Sequence, residues 1–213
     1  MAQGEYLLRG GSIYNESEFN AGNGACGPTI LAAAERWVKG ARAPLAQDVL
    51  RTMYAAGLCS ASGVTNLPKL ALAAQRAGLT VARNQPNVGI LHFAEYTLTE
   101  ATVNGRHYAP GVCILEIANG QALTDYLSGQ GEDAVNLQYH FIGLVGVNTG
   151  GYSHYLGCSV PPGFFAVDGA SLLMNPVVSG VGRVHRYINT TLCYYPSSVL
   201  SRAQPYDIFA VTG

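Results

Sequence analysis

No stretch of this 213-residue chain approaches the length of uninterrupted apolar sequence, about 18 residues, that a membrane-crossing helix requires. Charge is scarce too: charged residues make up 12%, about half the usual share of a soluble domain. Solubility must then rest on Asn, Gln, Ser, Thr, Tyr and Gly. The formal net charge is −1 and no basic run occurs, so the sequence lacks the electrostatic footprint of a nucleic-acid or membrane-surface binder. No CxxC pair is present. The cysteines, Cys26, Cys59, Cys113, Cys158 and Cys193, are scattered and odd in number. That pattern argues against a four-ligand zinc site and against a disulfide framework. Repeats, low-complexity tracts and an interdomain linker are also missing. The first residues, "MAQGEYLLRGG", have no apolar core of a signal peptide, which favours a cytoplasmic setting. Their Gly10-Gly11 pair reads as a turn.

What remains is apolar and ordered in pattern. Hydrophobic residues reach 48%, enough for one sizeable core, and the length suits a single domain. From Pro28 to Val38, Ile30, Leu31, Ala34, Trp37 and Val38 fall on one helical face. Pro28 suits a first turn and Gly40 a helix end. Further helices are expected from Pro44 to Ala56, with Leu45, Val49, Leu50 and Met53 inward, and from Leu67 to Ala77. Later, "GVCILEIA" (111–118), "HFIGLVGV" (140–147), "GFFAVDG" (163–169) and "YDIFAVTG" (206–213) are short runs rich in Val, Ile and Phe, bounded by turn residues. They read as strands. Helices first and strands later, without βαβ alternation, predict an α+β fold: a helical part over about 20–80 packed on an antiparallel sheet over about 110–213. The polar, Gly-rich stretches 118–139 and 148–163 read as long loops.

Cys26 stands where such a fold can activate a thiol. The thiolate is the nucleophile, and unpaired N–H groups at a helix start favour negative charge. The flanking Gly24 and Gly27 would leave the sulfur accessible. A base is then needed. Of His92, His107, His140, His154 and His185, His140 opens the most apolar strand, directly after a polar loop. Asp168 ends the next strand and can orient an imidazole if the two strands are neighbours. His154 and His185 together with Asp168 raise a metal site, but their spacing is not that of a metal motif. The aromatic group "YSHYLG" (152–157) is a candidate lining for a substrate cleft.

Together these residues resemble the papain-like cysteine peptidases, and within them the bacteriocin-processing (double-glycine) peptidase-like family. "CGPT" (26–29) opening a helix, "HFIGLVGV" (140–147) and "FFAVDG" (164–169) match that family in type, order and spacing. "PGVCILEI" before the histidine and the closing "SSVLSRAQPYDIFAVTG" also fit, so the likeness covers nearly the whole chain. It departs at Asn20, where the family carries an oxyanion-hole Gln, and at Gly169, where a Pro often follows the Asp. Asn keeps the amide donor but is one methylene shorter, and Asn23 is an alternative donor.

The resemblance implies a peptide or protein substrate, a Cys26-His140-Asp168 triad, an oxyanion hole of the Asn20 amide and the Cys26 N–H, and a thioester intermediate. Because cleavage after Gly-Gly belongs to that family, a self-processing site at Gly10-Gly11 is a second reading beside the turn. No motif asks for a metal or cofactor. The same triad also serves thiol amidases, isopeptidases and transglutaminase-like enzymes, and the cleft alone would suit a weakly active peptide-binding protein.

Overall fold

The computed structural model describes residues 4–8, 25–128, 138–168 and 192–213. The helices are α1 (Cys26–Lys39), α2 (Ala46–Ala55), α3 (Leu67–Arg76), α4 (Ile90–Leu98), α5 (Gln121–Ser128) and α6 (Ser197–Arg202). The strands are β1 (Glu5–Leu7), β2 (Thr80–Arg83), β3 (Thr102–Val103), β4 (Arg106–His107), β5 (Gly111–Ile117), β6 (His140–Asn148), β7 (Gly151–Ser153), β8 (Cys158–Val160), β9 (Gly163–Val167), β10 (Leu192–Pro196) and β11 (Pro205–Thr212). The class is α+β, as the order of patterns predicts. Among the described residues no helix is long and apolar enough to cross a membrane.

One antiparallel sheet runs β10-β9-β6-β5-β11-β2. Every residue of β5 and β6 is buried, which explains why both read as continuous apolar runs rather than alternating ones. β1 joins β6 antiparallel through Glu5↔Asn148 and Leu7↔Gly146. It takes up the edge of β6 just past Leu144, the last residue there that pairs with β5. Against β9, the register of β6 slips between Leu144 and Gly146, so Val145 forms a bulge.

The helix α1 lies against β6, where Gly143 leaves room for Ile30. Ile30 through Ala34 are all buried, so α1 is covered on more than one side. Its C-terminal turn is not: Val38 is 37% exposed, contrary to the inward face its spacing suggests, and Trp37 is only partly buried. In α2 the inward stripe is Ala46, Val49 and Met53. Leu45, expected inward, is 51% exposed because it precedes the helix as its N-cap.

Two expected loops carry structure. Within 118–139 lies α5, and within 148–163 lies the β7–β8 hairpin. The hairpin is tied to the N-terminal strand by Glu5, which accepts hydrogen bonds from Ser153 Oγ, the His154 N–H at 2.9 Å and Asn148 Nδ2 at 3.2 Å. A contact between residues so far apart in sequence leaves no local signal. The Gly10-Gly11 pair lies outside the described residues.

Candidate active site

Cys26 is the first residue of α1, which begins two positions ahead of the Pro28 where the helical pattern starts. The preceding Ala25 is the N-cap and has no side-chain oxygen to occupy the first N–H groups. Pro28 brings no donor of its own, and the ladder begins with Thr29 N–H on the Ala25 carbonyl at 3.0 Å. The helix start is thus left open to an anion, and the Gly27 N–H is directed at the Cys26 sulfur.

The segment between α2 and α3 holds this turn in place. A Cβ on Gly63 would lie 2.7 Å from Ala25 Cα, and one on Gly27 would lie 2.6 Å from Thr65 Cγ2. Glycine at both positions is what lets the segment press against the cysteine's neighbours. Thr65 is itself fixed by its hydroxyl, which donates to the Leu58 carbonyl at 2.7 Å.

β6 and β9 are adjacent and antiparallel, so the start of one lies beside the end of the other. His140 Nε2 and Asp168 Oδ1 are 2.7 Å apart, and both residues are buried, at 3% and 0% exposure. Cys26 acts on the same ring, by hydrogen bonding and by charge. With Nε2 engaged by Asp168, Nδ1 is the nitrogen left for the sulfur. Cys26, His140 and Asp168 therefore form one contiguous chain of contacts.

Charges in that chain support each other. Burial alone would raise the Cys26 thiol. The His140 hydrogen bond and charge, with the N–H groups of Phe141 and Gly27, outweigh it and hold the thiol below its ordinary 9.0. Burial likewise lowers His140, yet Asp168 and Cys26 raise it to about 10. Both shifts run in the direction that favours a thiolate beside an imidazolium. The other buried thiols go the opposite way: burial raises Cys59, Cys113 and Cys193.

Asn20, the expected oxyanion donor, and its alternative Asn23 lie outside the described residues. So does His185. His154 stands in the β7–β8 turn, beyond the Asn148 end of β6, roughly 26 Å along the strand from His140 at the usual rise per residue. The "YSHYLG" group is at that far end as well, so it does not line the site around Cys26. His92 lies on α4 and His107 on the small β4 strand. Among the described residues no group of three or more His, Cys, Asp or Glu is placed to hold a metal ion. A 580 Å³ cavity between α5 and α6, lined by Gln121, Asp125, Tyr126 and Arg202 among others, holds none of the three residues.

One contact has no counterpart in the sequence reading. Asp168 Oδ2 accepts a hydrogen bond from the Tyr195 hydroxyl at 2.5 Å. Tyr195 belongs to β10, in the run "LCYYP". Its signal is a short β-branched-free but aromatic stretch ending in Pro, too brief to stand out as a strand.

No protein-family model matches this sequence, and no curated protein matches it. A thiol of lowered pKa at a helix start, an imidazole beside it and a buried carboxylate behind it are the parts needed for acyl transfer through a thioester.

Proposed function

We propose that this chain is a cysteine peptidase with a papain-like fold, acting on peptide bonds. The carrying observation is that the His140 ring bridges the Cys26 sulfur and the Asp168 carboxylate, with Nε2 2.7 Å from Oδ1. Cys26 Sγ attacks the substrate carbonyl carbon, and the C–N bond breaks as His140 delivers its Nδ1 proton to the leaving amine. His140, then neutral, takes a proton from water, which attacks the thioester and releases the acid. Asp168 keeps Nε2 protonated, so Nδ1 faces the reaction throughout. The Cys26 N–H and the Asn20 amide are the donors proposed for the oxyanion.

The test has two arms. Wild type is expected to turn over a peptide-probe library and Cys26→Ala to lose that turnover. At a pH of about 6, where an ordinary thiol is protonated, iodoacetamide is expected to label Cys26 well ahead of Cys59 and Cys193. Equal labelling of the three would mean that Cys26 carries no activated thiolate, and the reading would fall.

A further inference from the structure

A carboxylate has two oxygens, and the triad proposed above engages only one of those on Asp168. We propose that Tyr195 is a positioning residue for that reaction: its hydroxyl, 2.5 Å from Oδ2, fixes Asp168 so that Oδ1 stays on the His140 ring. The inference rests on the peptidase reading and names a residue that this reading does not need for its chemistry.

Tyr195 is among the largest fully buried side chains, at 0% exposure. A phenol placed there loses its water and must find an acceptor, or the burial is costly. Its acceptor is an ionised carboxylate, and charge-assisted bonds of this kind are short and strong. With a donor on each oxygen, the carboxylate plane cannot turn about its own bond without breaking one of them. In the strand pairing Tyr195 sits opposite Phe164, four residues before Asp168, so its long side chain reaches along the sheet to the carboxylate.

The surrounding titratable groups keep this bond constant while His140 titrates. His140 faces Asp168 from β6. Cys193, on β10, donates to the Ala166 carbonyl at 3.5 Å and is held well above its ordinary value, chiefly by burial. Tyr126, on α5, packs its ring 6.1 Å from that of Tyr195 and is raised to about 12, again chiefly by burial. Tyr195 itself is raised by burial and by the Asp168 charge, so it remains a donor.

Tyr195→Phe keeps the ring and removes the donor. Expected is a fall in kcat of about tenfold with KM little changed, the scale of losing one bond to a charged group. Without that donor the Asp168 anion is less satisfied and holds the imidazolium proton more tightly. The alkaline limb of kcat/KM should therefore move up in pH. In an Asp168→Asn background, Tyr195→Phe should have no further effect on kcat.

A lowered melting temperature with an unmoved alkaline limb would make Tyr195 a packing residue and overturn the inference while the peptidase reading stood. An undiminished effect in the Asp168→Asn background would overturn it too. If wild type shows neither turnover nor accelerated Cys26 alkylation, the peptidase reading falls and takes the inference with it. Should Tyr195→Phe not fold, proton NMR of wild type decides. A slowly exchanging low-field hydroxyl resonance from Tyr195 is expected, and a hydroxyl exchanging too fast to observe would overturn the inference.

Discussion

The two ends of β6 each hold a carboxylate, and the two are used differently. At the His140 end, Asp168 faces an imidazole and a phenol and is fully buried. At the Asn148 end, Glu5 faces Ser153, the His154 N–H and the Asn148 amide, and remains partly exposed. Hydrogen-bond partners alone do not separate the two clusters. What separates them is whether a partner can take a proton. Asp168 stabilises a charge that forms on its neighbour, whereas among the described residues Glu5 accepts from neutral donors and so fastens β1 to the β7–β8 hairpin. A carboxylate can serve chemistry when its neighbour titrates, and serves architecture when it does not.

The sharpest break of this contrast is Asp168→Asn, which keeps the shape and removes the charge. We expect kcat to fall by about 10³- to 10⁴-fold. The same variant should change how stability follows pH. His140 is raised from an ordinary 6.5 to about 10 in the folded protein. Its contribution is therefore fully present below pH 6.5 and is lost as pH rises through about 10. Thermal melting should show that decline in wild type and much less of it in Asp168→Asn. Cys26 works in the other direction, since a lowered thiol adds stability above its ordinary 9.0 that is lost as pH falls through its folded value.

A smaller effect is expected from Gly27→Ala, whose new methyl would meet Thr65 Cγ2 at 2.6 Å. Misplacing the sulfur should slow alkylation of Cys26 by about tenfold. Adding Thr65→Ser, which removes that methyl and keeps the hydroxyl, should restore the rate. The smallest effect on chemistry belongs to the far end. Glu5→Gln should lower unfolding stability by about 1–2 kcal/mol in a denaturant titration and leave kcat unchanged. A large loss of activity there would erase the distinction between the two ends.

Much of the His140 end is legible in the sequence. The strands at 111–117, 140–148, 163–167 and 205–212 are dense apolar runs with turn residues at their edges, and α1 to α3 show a helical period. His140 opening one such strand and Asp168 closing the next is enough to predict their meeting if the strands pair. The far end is illegible for a physical reason. Its hairpin depends on Glu5, a residue 148 positions from Ser153, and short polar strands carry no pattern without that partner. Tyr195 was hidden differently. An aromatic side chain reads as core, and only the geometry reveals where its hydroxyl points. Val38 and Leu45 erred at helix ends, where period alone does not say how far the neighbouring elements reach.

The bulge at Val145 divides β6 into two phases. Up to Leu144 its ladder with β9 keeps one register, and from Gly146 it keeps another. Strand slippage propagates as a whole-residue step, because an error in pairing inverts every side chain beyond it. β1 pairs with β6 only from Gly146 to Asn148, beyond the bulge, so the residues that fasten the N-terminal strand and those that lead back to His140 lie in different phases of the ladder with β9.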